Sequence, residues 1–361
     1  MVMRVLFRVD ASLVMGTGHV MRCLTLARAL HEQGHACLFI SREHVGNLNA
    51  LIGSEGFSLH ALPTGRAQDG DLDHSHWLGA SQAEDAVACQ APVAAWRPDW
   101  LVVDHYALDH RWETRVTPEG CRILVIDDLA DRRHVCDLLL DQNLGRRADD
   151  YRALVPDSCT LLVGPGNALL RADFSRLRDQ SLARRKQTDL QSVLIALGGV
   201  DQHNYTGSIL SALKFCELPD GIRFTVVLGS TALHLQAVTA AADSCPWPIE
   251  VLSGIDDMAL RMLEADLAIG AAGGTSWERC CLGVPTLLVI LAENQRSGAL
   301  ALAATGAALL IDASRPLIEQ LQSSFNRLRA ADCRRQMTNA AGRVTDGRGV
   351  ERLLQLMENM R

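Results

Sequence analysis

The chain has 361 residues, 48% hydrophobic but only 4% aromatic, with a formal net charge of −7; this length predicts two domains with sizeable cores, and the charge and lack of aromatics exclude a basic or stacking nucleic-acid binder. Eleven cysteines, an odd number with no C-x-x-C pair, exclude a disulfide framework or a structural zinc site and predict reduced thiols in a cytoplasmic protein. The opening MVMRVLFRVD has no apolar leader core, and the longest apolar stretch, residues 285–292, is too short to span a bilayer, so no membrane partner is expected.

In chain order, residues 5–9 form an apolar run that predicts a buried strand. A glycine-containing turn follows, then a helix near residues 19–33 with Val20, Leu24, Ala27 and Leu30 on one face and Gly34 closing it. Residues 36–40, 101–104 (LVVD), 123–127 (ILVID) and 138–140 read as further strands. Two of them end in Asp, at the carboxyl edge where doubly wound sheets place function. The polar stretch 65–95 predicts a loop with a helix that tops a cleft. A second unit begins after Arg184, Arg185 and Lys186. Its strands are predicted at 192–197, 224–228, 250–252, 267–269 and 285–291, and its helices at 205–215, 257–264 and up to Cys281. Residues 334–360 look helical, interrupted by Gly347 and Gly349. This β-α alternation in both halves predicts parallel sheets with right-handed crossovers, and domains at 1–185 and 186–361, the last helix packing back on the first.

The first chemical motif runs from Asp10 through Gly16-Thr17-Gly18-His19 to Arg22, between strand one and helix one. Gly16 and Gly18 let the backbone turn and approach a ligand. Met21 stands where a dinucleotide fingerprint has its third glycine, which argues against NAD. His19, at a helix start, is a candidate general base kept neutral by the helix dipole, or simply a cap. Asp10 either orients His19, holds a sugar hydroxyl, or makes an Asx turn. Arg22, one turn on from His19, either pairs with Asp10 or is solvated.

The second motif is Gly270-Ala271-Ala272-Gly273-Gly274-Thr275-Ser276-Trp277-Glu278. Free amides of Gly274, Thr275 and Ser276 predict an anion site at the helix start, where Gly273 lets the backbone approach, and the two hydroxyls add donors. Glu278 is placed to accept ribose hydroxyls, or to close a capping box with Thr275. Asn294 and Gln295, after the strand at 285–291, suit sugar hydroxyls or a helix cap. Tyr106, after the LVVD strand, either contacts the sugar or is a loop residue. Gly198 and Gly199 are candidates for the diphosphate, and Ile255 is placed with the substrate-binding residues. His74 and His76, without Cys or carboxylate partners nearby, read as solvated rather than as metal ligands.

The stretch DAS…GTGHVMRCLTLA, with VIDDLADR, GPGNALLR, ALGGVD and GAAGGTSWERCCLGVP in the same order, resembles the UDP-sugar hydrolases of pseudaminic acid biosynthesis, a nonulosonic acid used in flagellin glycosylation. Those enzymes are similar in fold to the MurG-type N-acetylglucosaminyltransferases. The resemblance therefore implies an α/β, GT-B-like architecture, with two Rossmann-like domains facing across a cleft. It implies hydrolysis of UDP-2,4-diacetamido-2,4,6-trideoxy-β-L-altropyranose to UDP and free sugar, with inversion, no metal and no cofactor. By the same resemblance His19 is the base, residues 273–278 bind UDP, Asn294 is the sugar-side asparagine and Tyr106 the loop tyrosine. The resemblance does not extend to the stretch 65–95. A monomer with a small-molecule UDP-sugar partner is expected. The alternatives are a glycosyltransferase of the same fold and a non-catalytic nucleotide-sugar binding protein. UDP leaves as a stabilised phosphate, so one base and a diphosphate cradle suffice without the acid that ordinary glycosidases need.

Overall fold

A computed structural model describes residues 2–66, 70–186, 189–230, 232–291 and 293–360, with the side chain of Asn294 outside the description. The chain divides into two compact units. One holds residues up to Leu169 together with the segment from Val350 onward, and the other holds Leu170–Gly349.

The first unit is built from β1 (Arg4–Val9), α1 (Gly18–Glu32), β2 (Ala36–Arg42), α2 (Asn49–Ser54), β3 (Ser58–Leu62), α3 (Gln82–Trp96), β4 (Trp100–Asp104), α4 (His110–Val116), β5 (Arg122–Ile126), β6 (Leu138–Asp141) and β7 (Thr160–Val163). Its seven strands lie in the order β3-β2-β1-β4-β5-β6-β7, all parallel. Alternation along the strands sorts side chains to the two faces. Val5, Phe7, Val9, Val102, Leu124, Ile126, Leu138 and Leu140 share a core with α1. Leu6, Leu101, Val103, Val125 and Leu139 pack with α3 and α4 on the other side.

The second unit contains α5 (Ala172–Arg184), β8 (Ser192–Ala196), α6 (Tyr205–Leu213), β9 (Arg223–Leu228), α7 (Leu235–Asp243), β10 (Ile249–Ser253), α8 (Met258–Glu264), β11 (Leu267–Ala271), α9 (Thr275–Cys281), β12 (Thr286–Ile290), α10 (Arg296–Ala304), β13 (Ala308–Asp312), α11 (Leu317–Leu328) and α12 (Ala331–Gly342). The strand order β10-β9-β8-β11-β12-β13 is that of a dinucleotide-binding fold, again all parallel. The division falls ahead of α5, not after the basic stretch at residues 184–186. Arg178 and Arg185 tie α5 to carbonyls of Cys281, Leu282, Met262 and Ala265, which carries that helix with the second unit. The final helix, α13 (Gly349–Asn359), buries Val350, Leu353, Leu354 and Met357 in the first unit's α1 core. The architecture is thus two Rossmann-like parallel sheets, each reversing strand direction of progression at one point: between β1 and β4, and between β8 and β11. The crevice outside the carboxyl ends of such a pair is where open α/β sheets bind ligands. Both glycine-containing motifs sit there.

Candidate functional site

In the first unit Gly16 turns the chain at φ +78° and donates its N–H to the Ser12 carbonyl at 2.8 Å. The Ser12 hydroxyl accepts from Val14 and Met15. Gly18 then opens α1, and a Cβ at Gly16 or Gly18 would meet no atom within 4 Å. Thr17, at the N-cap, makes no side-chain cap. His19 does not cap either: its Nδ1 lies 2.6 Å from Asp104 Oδ1.

Asp104 ends β4 on the face that α1 covers, the parity of Trp100 and Val102. Arg22 grips the same carboxylate with two nitrogens, Nε at 2.6 Å and Nη2 at 2.7 Å, and reaches Asp128 with Nη1 at 2.7 Å. Burial works to raise the Asp104 carboxyl, but the charges of Arg22 and His19 outweigh it and hold it well below the usual range. An ionised carboxylate only accepts, so the 2.6 Å contact requires the proton on His19 Nδ1. In the neutral ring Nε2 then carries the lone pair, as in a histidine set up to accept a proton. Tyr106 packs edge-on against the His19 ring with centroids 4.7 Å apart and donates its hydroxyl to Asp128 at 2.7 Å. Asn143 also donates to Asp128.

Two expected pairings are not made. Asp10 meets neither His19 nor Arg22. It has the parity of Leu6 and Arg8, on the α3 face, and accepts from Arg8 Nη1 at 2.6 Å and from the Arg42 amide at 2.7 Å. Asp85 of α3 holds the other side of Arg8 and also accepts from Arg42 and Trp112. The second oxygen of Asp10 faces His105 Nε2 at 3.2 Å and His44 Nε2 at 3.6 Å. Asp10 is therefore a buried anchor of the sheet edge, and the orienting role expected of it falls to Asp104. Sequence reasoning also missed Asp128, which follows the strand-end Asp127 that it did single out. For Asp104 strand parity was the signal, because it alternates onto the α1 face while Asp10 does not.

In the polar stretch 65–95, residues 67–69 lie outside the description, and the described part holds α3 preceded by a 3-10 turn over Ser75–Trp77. His74, read as solvated, is half-buried: its ring lies 4.5 Å from Trp77 and 5.4 Å from Tyr106. His76 is exposed.

In the second unit, Gly273 and Gly274 are exposed at the start of α9, and a Cβ on either would meet nothing within 4 Å. Behind them Arg279, 2% exposed, donates to the Thr275 and Ser276 hydroxyls and to the Ala271 carbonyl at 3.0, 3.1 and 2.8 Å. A guanidinium cannot accept, so both hydroxyls act as acceptors toward it and keep their own protons to donate elsewhere. Burial lowers Arg279 to about 10. A Cβ at Gly270 would lie 2.4 Å from its Nη1, which is why glycine stands at that position. Glu278 forms no capping box with Thr275. It is partly buried, its side chain has no hydrogen-bond partner among the described residues, and burial raises its carboxyl.

Gly198 (φ +100°) and Gly199 follow β8, the neighbour of β11. A Cβ at Gly229 would lie 2.1 Å from the Gly199 carbonyl oxygen. Ile255 is partly buried just beyond β10. Gln295 turns back to accept from the Leu291 amide at 3.2 Å. Asn294 lies in the 3-10 turn Glu293–Gln295, with its side chain outside the described residues. Among the described residues no group of three or more His, Cys, Asp or Glu is arranged to hold a metal ion, and no helix is long and apolar enough to cross a membrane.

Residues 194–353 match the glycosyltransferase family 28 C-terminal domain. The chain is 27% identical over 305 residues to the UDP-2,4-diacetamido-2,4,6-trideoxy-beta-L-altropyranose hydrolase of Campylobacter jejuni subsp. jejuni serotype O:2, covering 84% of this chain and 97% of that one. It is 27% identical over 213 residues to the spore coat polysaccharide biosynthesis protein SpsG of Bacillus subtilis, covering 58% and 61%. Among solved structures, MurG of Acinetobacter baumannii superposes with a TM-score of 0.72 at 18% identity, over 99% of each chain. The chain thus resembles the hydrolases of pseudaminic acid biosynthesis, as its motifs imply, and it has the GT-B-like fold of MurG.

Proposed function

We propose that this chain, similar along most of its length to a UDP-diacetamido-sugar hydrolase, cleaves the anomeric C–O bond of UDP-2,4-diacetamido-2,4,6-trideoxy-β-L-altropyranose, releasing UDP and the free sugar with inversion. The observation that carries this reading is the His19–Asp104 contact, which fixes the tautomer that leaves Nε2 free to take a proton from water. Arg22 keeps Asp104 ionised and in place, and Tyr106 limits the ring's rotation. At the second motif, the amides of Gly274 and Thr275, which meet no backbone carbonyl among the described residues, and the hydroxyl protons of Thr275 and Ser276 suit a diphosphate without a divalent cation. The unpartnered carboxylate of Glu278 suits the two ribose hydroxyls.

The family 28 match favours a second reading, glycosyl transfer to an acceptor. One experiment separates the two. The purified protein is incubated with the UDP-sugar in ¹⁸O-water and EDTA, with no acceptor present. Hydrolysis places the label on the sugar's anomeric oxygen and none on UDP. An intact UDP-sugar without acceptor would favour the transferase, and label on the phosphate would reject C–O cleavage.

A further inference from the structure

The turn between β3 and α3 lies in the stretch that the hydrolase resemblance does not reach, yet it delivers aromatic rings to His19. Trp77 stacks on Tyr106 with centroids 5.5 Å apart and planes inclined by 26°. His74 touches both, and the edge of Trp77 faces the His19 ring at 6.4 Å. The turn is pinned from both sides. Ser75 Oγ accepts from the Leu72 amide and donates to the Leu72 carbonyl, and Leu78 is buried in the α3–α4 core. Tyr106 has given its hydroxyl to Asp128, and burial lowers His74 toward the neutral imidazole. What is left is a fixed, uncharged aromatic wall in which Trp77 is partly exposed and has no hydrogen bond from its indole N–H to any described residue.

A face of this kind attracts C–H groups and strips water from hydroxyls without replacing it. We propose that Trp77, braced by Tyr106 and His74, is a specificity-determining wall beside His19 that selects sugars carrying an apolar flank, a deoxy methyl or acetamido methyl, over sugars carrying a hydroxymethyl there. The proposal rests on the hydrolase reading for the position of the sugar; the wall itself is this chain's own.

The test compares wild type, Trp77→Ala and Trp77→Phe on the UDP-diacetamido-trideoxy sugar and on UDP-N-acetylglucosamine, with folding checked by circular dichroism. Trp77→Ala is expected to raise KM for the first sugar by about three- to tenfold, to leave kcat and the affinity for UDP alone nearly unchanged, and to narrow the preference between the two sugars. Trp77→Phe should recover most of the loss. An unchanged KM overturns the proposal, as does a fall in kcat alone with a shifted pH profile, which would make Trp77 a brace for His19. Saturation-transfer NMR with the same two nucleotide sugars decides the matter even if wild type releases no UDP. The methyl protons should be the most strongly saturated in wild type and lose that in Trp77→Ala; equal saturation in the two proteins rejects the wall, whatever the fate of the hydrolase reading.

Discussion

At the scale of single residues, His19 and Asp104 act as one device. His19→Ala should fold normally and lose turnover by about 10²–10⁴-fold, the usual loss for a general base. Asp104→Asn leaves Arg22 its Asp128 partner but offers the ring an amide, which no longer enforces the Nδ1–H tautomer. Its kcat should fall comparably with little change in KM; a kcat within threefold of wild type in steady-state assays would remove the dyad from the mechanism.

A second residue-scale prediction concerns protons on the opposite face of the sheet. Tyr151, fully buried, places its single hydroxyl 2.7 Å from Asp141 and 2.9 Å from Asp127. One phenol proton cannot serve two carboxylates, so one carboxyl keeps its own. Burial works to raise Asp127, but Arg132 at 2.8 Å holds it at about 2. Burial, reinforced by the charge of Asp128 and only partly offset by the Asn143 amide, Tyr151 and Arg146, pushes Asp141 up to about 6. A carboxyl raised above its unfolded value stabilises the fold fully below that value and loses the contribution as pH climbs through 6. Relative to Asp141→Asn, wild type should therefore lose on the order of 2–3 kcal/mol between pH 4 and pH 7. Thermal melts of both proteins across that range measure the difference; parallel curves would place the proton elsewhere.

At the scale of elements, the turn from β11 into α9 depends on one absent side chain. Gly270→Ala would drive a methyl into Arg279 and dislodge its guanidinium from the Thr275 and Ser276 hydroxyls. Overpacking of this kind costs about 1–3 kcal/mol, and the misplaced hydroxyls should weaken UDP binding about tenfold. Calorimetry with UDP checks it; unchanged affinity would mean that the hydroxyls do not meet the nucleotide. This element shows what the sequence made legible. Its strand, glycine turn and helix start were readable from the sequence, because an apolar run, paired glycines and two hydroxyl residues in that order mark a β-to-α turn. The buttress was not, because Arg279 reads as an ordinary helical arginine until the backbone of Gly270 is seen to make room for it. The same limit applied to His19. The helix start marked the histidine, but its partner lay 85 residues away on a neighbouring strand, and only strand order together with side-chain parity distinguishes Asp104 from the nearer Asp10. Trp77 was hidden for another reason: a polar stretch has no periodicity to announce that it brings a ring against His19.

At the scale of the whole molecule, the strand alternation in both halves translated directly into two parallel sheets, since β-α repeats admit little else. The unit boundary was harder to read, because α5 is a polar helix whose allegiance is decided by arginines donating to backbone carbonyls of residues 262–282. The return of α13 to the first unit has a consequence for how the protein is made. A ribosome completes residues 170–349 before it delivers the helix that finishes the unit begun first, so the earlier half must wait, open along its α1 core, until α13 has been made. Val350, Leu353, Leu354 and Met357 plug that core, and at about 1.5–3 kcal/mol each they rival the whole stability of a typical domain. A chain stopped after Gly349 should retain a cooperatively melting, UDP-binding second unit while the first melts early or not at all as a unit; calorimetric scans showing two intact transitions would contradict this. The nascent first unit is, on this view, a client of a helix that is made only after the whole second unit.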